Sequence, residues 1–253
     1  MSAAAKGLVV PVGLLVLAEA ALRWSGLQSD AVAPPSAVAA ALARALRDGS
    51  IAVATGQTLG AAVQGLLLGG GIGLALGIVF GLFRTVDRLM DVTVEVIRPI
   101  PSIALIPIAL LALGFGTGME VSIVAFSCTW PVLILTRSAI AGIEPQLVEV
   151  ARVLGLSFPQ RVIKIILPAA FPRLIVALRL AFGVALVVAV TVEIAADPRG
   201  LGNAIMVAQQ ALDPALMLAD LLWIGLLGVI LDASLTLAQN HLLGRAALAE
   251  RPR

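Results

Sequence analysis

The chain is 253 residues long, 60% of them hydrophobic and 13% charged, with a formal net charge of +2 and a mean hydropathy of +1.07. Those values exclude a soluble domain and place the chain in a membrane. They also argue against nucleic-acid binding, because Lys and Arg sit singly between apolar runs instead of clustering on one basic face.

Residues 7–22 form the first apolar stretch, behind Lys6. Two readings fit it: a signal peptide ending in the small residues Ala18-Glu19-Ala20, or a retained anchor helix just long enough for a hydrocarbon core of about 30 Å. The retained helix is the expectation, with Glu19 near its outer end. Residues 25–48 are less apolar, and Pro34-Pro35 lead into SAVAAALARALRD, an amphipathic pattern carrying Arg44 and Arg47. It predicts an interfacial helix on the outer surface or an ordinary loop helix.

Residues 49–83 contain no charge at all. At about 1.5 Å per residue such a helix overruns the hydrocarbon, so it must tilt, break or project. Gly65, Gly69, Gly73, Gly77 and Gly81 recur every fourth residue. They predict a shallow face for a neighbouring backbone, used as a sliding seam or as a static contact.

Arg84 and Arg88 bracket a turn that positive-inside bias assigns to the cytoplasm. A third segment, residues 86–113, is interrupted by Pro99, Pro101 and Pro107. Carbonyls freed by proline are tolerated at membrane depth only against protein or a wet cavity, which makes this segment the first candidate for pore lining. After a glycine turn at 114–119 comes a fourth segment, residues 120–137, with Cys128 and Pro131 inside it. The lone cysteine rules out an intrachain disulfide and reads as a small buried residue. With His241 the only histidine, no structural zinc site can be assembled from the two.

Residues 144–168 are the longest polar-punctuated stretch between two apolar ones. Pro145 suits a first helical turn, Leu147, Ala151 and Leu154 follow at helical spacing, and Gly155 stops the helix. Ser157 and Gln160 form the two ends of a capping box for a second, basic helix bearing Arg161 and Lys164, expected to close at Pro168. A fifth segment spans 169–195, Asp197-Pro198-Arg199-Gly200 breaks it, 201–212 is a short outer helix, and a sixth segment spans 214–240. The tail ends in Arg245, Arg251 and Arg253. With both termini inside, only Arg23, Arg44, Arg47 and Arg199 fall outside, which agrees with cytoplasmic placement of 144–168.

Glu149, Ala151, Gly155, Ile165, Leu167 and Pro168 match the spacing of the EAA motif, E-A-A-x3-G-x9-I-x-L-P; only Val150 departs from it. On these residues, and on the flanks RPIPSIALIPIALLALGFG from Arg98 and residues 174–202, the chain resembles permease subunits of bacterial ATP-binding-cassette importers, in particular the sulfonate, nitrate and taurine branch. The resemblance covers residues 50–244.

The resemblance implies an all-α polytopic membrane protein with about six transmembrane helices and cytoplasmic coupling helices, the type I importer permease fold. It divides the chain into an anchor and outer segment at 1–50, a permease domain at 51–244 with coupling helices at 144–168, and a cytoplasmic tail at 245–253. It further implies a non-catalytic subunit of the bacterial inner membrane that binds no cofactor itself. ATP and Mg are expected on a separate cytoplasmic ATPase, consistent with the absence of any G-x4-G-K-[ST] loop here. An extracytoplasmic binding protein, a second permease copy, most simply identical, and lipid complete the expected partners. The solute implied is a sulfonate, nitrate or taurine-type anion; a cofactor precursor or aromatic acid is the alternative within the branch. A gradient-driven secondary transporter is the alternative outside it, though such proteins usually show matching halves.

Coupling is expected to rest on Glu149, Ala151, Arg152, Gly155, Arg161, Ile165, Leu167 and Pro168. Arg152 and Arg161 could pair with acidic groups on the ATPase or reach lipid headgroups. Ionisable residues at membrane depth mark a pathway or a buried pair, and Arg98, Arg179, Glu193, Asp220 and Asp232 qualify. The expected path comprises Arg98, Pro99, Pro101, Pro107, Thr191 and Glu193. Arg98 and Arg179 are placed toward the cytoplasmic side, and Glu193 with Thr191 at an outer gate.

Overall fold

The computed structural model describes residues 3–25 and 31–249, and all regular structure among them is helical. In chain order the helices are α1 (Ala3–Ser25), α2 (Pro35–Arg47), α3 (Ser50–Leu82), α4 (Arg84–Ile97), α5 (Ile106–Leu113), α6 (Thr117–Ala141), α7 (Pro145–Val153), α8 (Phe158–Arg161), α9 (Leu167–Ala195), α10 (Gly200–Gln210) and α11 (Pro214–Ala249). A 3-10 turn, Ser102–Leu105, precedes α5, and a π turn, Val162–Ile166, joins α8 to α9. Four helical stretches among the described residues are long and apolar enough to cross a membrane. A fifth span results if α4 and Ser102–Leu113, bent by 81° at their break, are taken together. Helix α1 exposes its apolar side chains from Val10 to Leu17; the four or five spans among the described residues compare with the expected six or so.

The core is a three-helix packing of α3, α6 and α9. Its centre is built from small residues, Ala62 on α3, Val124 and Cys128 on α6, and Ala185 and Ala189 on α9. Small side chains are what allow close approach where apolar lipid offers no hydrophobic drive. The five glycines predicted from the four-residue repeat all face α6. A Cβ at Gly69 or Gly73 would land on the carbonyl oxygen of Ala125 or Thr129, and one at Gly65 would strike the Val124 side chain. At Gly77 and Gly81 it would lie 2.6 Å from Thr136 Cβ and 2.7 Å from Ile140 Cβ. The Thr129 hydroxyl lies between two acceptors, the Ala125 carbonyl of its own helix at 2.8 Å and the Gly69 carbonyl of α3 at 3.2 Å, the second within reach only at this backbone separation. Helix α3 runs its 33 residues without a break, so of the three options for its excess length it tilts or projects. Cys128 is fully buried and its Sγ donates to the Ala181 carbonyl at 3.5 Å.

Helix α2 is amphipathic, but its apolar residues Val38 and Ala41 are buried in a cluster with Ala219 of α11, while Ala45 packs in a second with Ile51, Leu201 and Leu227. Arg44 and Arg47 lie on the exposed side. Its first turn is tied to the end of α1, because Glu19 accepts bonds from the Ser36 N–H at 2.9 Å and the Ser36 hydroxyl at 2.7 Å.

Two expectations need correction. Pro168 does not close the second motif helix: α8, the π turn and α9 follow without a gap, so the segment expected to begin at 169 begins at Phe158. Proline lacks the donor for one i→i−4 bond, and it sits where the ladder changes from π to α register, so the missing bond falls at a place already irregular. The sixth segment also runs past residue 240, to Ala249. Of the expected basic tail, Arg251 and Arg253 lie outside the described residues.

Candidate functional site

The motif forms the local structure that its residue types dictate. Pro145 occupies the first turn of α7. Gly155, at φ +66°, ends the helix in a Schellman arrangement, with Gly155 N–H bonded to the Arg152 carbonyl at 2.9 Å and Leu156 N–H to the Ala151 carbonyl at 3.1 Å. Nothing lies within 4 Å of a Cβ built there, so glycine is required by the backbone and not by crowding. Gly155→Ala should therefore lower the thermal midpoint modestly, by the equivalent of about 1 kcal/mol. A larger loss would point to a contact rather than to strain. Ser157 N–H donates to Gln160 Oε1 at 2.9 Å, the glutamine arm of the capping box.

Helix α7 has three kinds of surface. Ala151 is completely buried. Glu149 and Arg152, themselves exposed, line an open cavity of about 690 Å³ together with Arg84, Asp87, Arg88, Arg137, Phe158 and Arg161. Leu147, Val150, Val153 and Leu154 are exposed, Val153 to 88%; their spacing puts them on one stripe. The cavity wall is held by groups that the motif does not contain. Arg137 of α6 pairs with Asp87 and Asp91 of α4, at 2.7 Å each. The Phe83 and Phe158 rings stand 5.7 Å apart, and the Arg161 guanidinium lies over Phe158 at 5.9 Å. Thus α8 touches the α3–α4 turn through an aromatic pair. Ile165 is half-buried in the π turn, Leu167 is half-buried and Pro168 exposed at the start of α9.

A second feature lies midway along the bundle. At the break between α4 and α5, Arg98, Ile100, Pro101 and Ser102 face Phe126, Ser127, Trp130, Pro131, Ile134 and Leu135 of α6 and Val184 and Val188 of α9 across a cleft of about 560 Å³. Residues 126–135 straddle the middle of α6, so Arg98 sits at mid-span and not toward the cytoplasmic side as expected. The prolines explain why: they end α4 there, and the chain turns through 81°. Pro99 and Pro107 are exposed on either side of the bend. The indole Nε1 of Trp130 is buried with no acceptor, and Phe126 packs edge-on against its ring at 5.4 Å.

Thr191 and Glu193 are in neither place. Two residues apart on α9, they point in directions about 200° apart. Thr191 bonds its own helix at the Val187 carbonyl, 2.6 Å away. Glu193 is 2% exposed; its Oε2 accepts from Thr58 Oγ1 of α3 at 3.0 Å and from Gly202 N–H of α10 at 2.8 Å. Thr58 Oγ1 in turn accepts from Leu201 N–H at 2.9 Å, and Gln57 Oε1 accepts from Gly200 N–H at 2.9 Å. Gly200 adopts φ +83°, and a Cβ there would overlap Glu193 Oε1. Glu193 and Thr58 thus fasten the N-terminus of α10 to α3 and α9, with buried Glu120 of α6 within hydrogen-bonding reach. Arg179 and Asp232 pair with each other through two 2.8 Å bonds that join α9 to α11, on the surface of the bundle, where the Asp232 side chain is 61% exposed. Pairings such as Arg137 with Asp87 join residues about 50 apart in sequence, and no local pattern announces them.

The profile of the family described as binding-protein-dependent transport system inner membrane component matches residues 49–245. A Bacillus subtilis protein named as aliphatic sulfonates transport permease SsuC is 32% identical over 182 residues, 72% of this chain and 66% of that protein. The bicarbonate transport system permease protein CmpB of Synechococcus elongatus is 30% identical over 181 residues, 71% of this chain and 65% of that protein. This chain therefore spans slightly less than two thirds of the length of both. Among solved structures, inward-facing MetNI methionine ABC transporter superposes with a TM-score of 0.67 at 19% identity, covering 76% of this chain and 95% of that one, which establishes the fold. An all-helical membrane protein with a glycine-packed three-helix core, a motif helix pair at one end and this sequence kinship belongs to the family of binding-protein-dependent transport system inner membrane components.

Proposed function

We propose that this protein is the permease of an ATP-driven importer, and that two copies enclose the path for a small anion of the sulfonate, nitrate or taurine kind. The observation that carries the reading is the surface of α7, an apolar stripe that no element among the described residues covers, on a helix whose end geometry the motif glycine fixes. A cytoplasmic ATPase pair seats on that stripe, and an extracytoplasmic binding protein delivers solute to the end that bears α2 and α10. Arg84, Arg88, Arg152, Arg161 and Lys164 gather at the α7–α8 end, which favours its cytoplasmic placement with both termini on the same side.

In this reading ATP is bound and hydrolysed on the partner, and the present chain supplies motion and a route. Closure of the ATPase pair displaces α7 and α8. Through the Phe83–Phe158 contact and the Arg137–Asp87 and Arg137–Asp91 pairs the shift reaches α3, α4 and α6, and the continuous α8–α9 run carries it across the membrane. The Arg98 cleft alternately meets one side and the other. The apolar stripe makes the intersubunit contact, and Glu149 and Arg152, exposed beside it at the cavity mouth, flank that contact.

Gentle purification of the tagged chain from its native membrane tests this directly. A Walker-motif ATPase should copurify with the unmodified chain and be lost with Val153→Glu, a substitution at an exposed position that leaves the fold intact. Recovery of the chain alone, from membranes whose solubilisation preserves such complexes, would overturn the importer reading and favour a gradient-driven carrier.

A further inference from the structure

We infer that the mid-span cleft is a transit site for an organic monoanion that carries an apolar tail and no amine. The inference rests on the importer reading and narrows its solute class.

The wall of the cleft carries one charged group, Arg98, and no carboxylate. Arg98 has no ion pair among the described residues, whereas Arg137 is paired with two aspartates and Arg179 with one. A cation held at membrane depth without a counter-ion is costly unless a ligand supplies the negative charge. One further lining residue favours an acceptor-rich ligand, since Ser102 carries a hydroxyl that can donate to it. Ser127 is already committed, donating to the Ile123 carbonyl at 2.9 Å.

The remaining wall is hydrocarbon and aromatic, from Ile100, Phe126, Ile134, Leu135, Val184 and Val188. A compact inorganic anion would leave that surface in contact with water or with nothing. An alkyl chain attached to the anion buries it and removes that apolar surface from water. An ammonium on the same ligand would find Arg98 and no carboxylate, so a zwitterion is disfavoured. The cleft volume, about 560 Å³, lies within the usual range for small-molecule sites. Of the solute chemistries in the family branch, alkanesulfonates and apolar carboxylates fit, while nitrate, bicarbonate and taurine fit poorly.

The test uses the full chain in nanodiscs of uncharged phosphatidylcholine. Trp24→Phe and Trp223→Phe leave Trp130 as the only indole. Titration with 1-butanesulfonate should shift the Trp130 emission saturably, and 1-butylammonium, sulfate or taurine at matched ionic strength should not. Arg98→Gln should weaken the butanesulfonate response at least about tenfold, and Arg98→Lys should restore part of it. An unsaturable butanesulfonate response, an equal response to butylammonium or taurine, or an unchanged Arg98→Gln titration overturns the inference. The comparison of ligands on the Arg98 chain stands even if Arg98→Gln fails to fold. Copurification of the ATPase from native membranes, measured in parallel, separates the two claims. An attached ATPase without a butanesulfonate response removes the site and leaves the importer, whereas the converse leaves an anion site in a protein that is not one.

Discussion

Gly69→Ala should abolish the folded bundle or lower its thermal midpoint drastically, while Gly71→Ala should change it little. The new Cβ at position 69 would coincide with the Ala125 carbonyl oxygen and its neighbouring backbone atoms, which cannot rotate away as a side chain can. Relief requires α3 and α6 to part. Separation would also stretch the Thr129 to Gly69 bond and open the contacts at Gly65, Gly73, Gly77 and Gly81. Overpacking by one carbon ordinarily costs about 1–3 kcal/mol where neighbours can yield. Here they are main chain, and a loss above about 3 kcal/mol is expected on the same basis. Position 71 has nothing within 4 Å of its Cβ; an effect within about 0.5 kcal/mol is expected. Cys128 supplies the readout, since it is buried between α6 and α9, and a thiol-reactive fluorophore labels it only as the core opens. Equal midpoints for the two variants would show that the helices are not in contact as described.

Glu193→Ala should detach α10 and destabilise the protein by about 3–5 kcal/mol, because it leaves the Gly202 N–H without its buried acceptor, turns the Thr58 hydroxyl back to the Ala54 carbonyl at 3.2 Å and opens a cavity. Glu193→Gln should be nearly silent in stability. Its amide oxygen accepts the same two bonds, and its NH₂ offers Glu120 a donor where the native chain offers a second carboxyl group. The pair also separates two roles for Glu193. As a fastener it needs an acceptor oxygen and no charge, so the Gln variant should transport at close to the native rate in proteoliposomes containing the whole importer. As an outer gate it would need the charge, and transport would fall while stability held. A parallel check is Thr58→Val, expected to lose about 1–3 kcal/mol through the same network.

The motif region, the glycine repeat and the proline break were legible because each follows from local rules. A left-handed cap requires Gly155, four-residue spacing aligns Gly65 to Gly81, and proline ends α4. Each feature is decided within a few residues of itself. What could not be read is what a side chain meets. The fastening role of Glu193 was hidden because its partners, Thr58 and Gly202, become neighbours only once α3 and α10 are packed. Arg98 looked cytoplasmic because depth was counted along a straight helix, and the bend moved it to mid-span. Pro168 looked like a terminator because proline usually is one, and the π turn that admits it has no sequence signature of its own.

The unbroken helical run from Phe158 to Ala195 makes one end of the protein answerable to the other. Such a rod conveys tilt far better than compression. Along it α9 rests on α6 at three levels, through Ala170 and Leu174 near one end, Ala185 and Ala189 at the centre and Val192 near the other. A tilt imposed at the Phe158 end is therefore shared by α6 before it arrives beneath α10, and the two helices move as one beam.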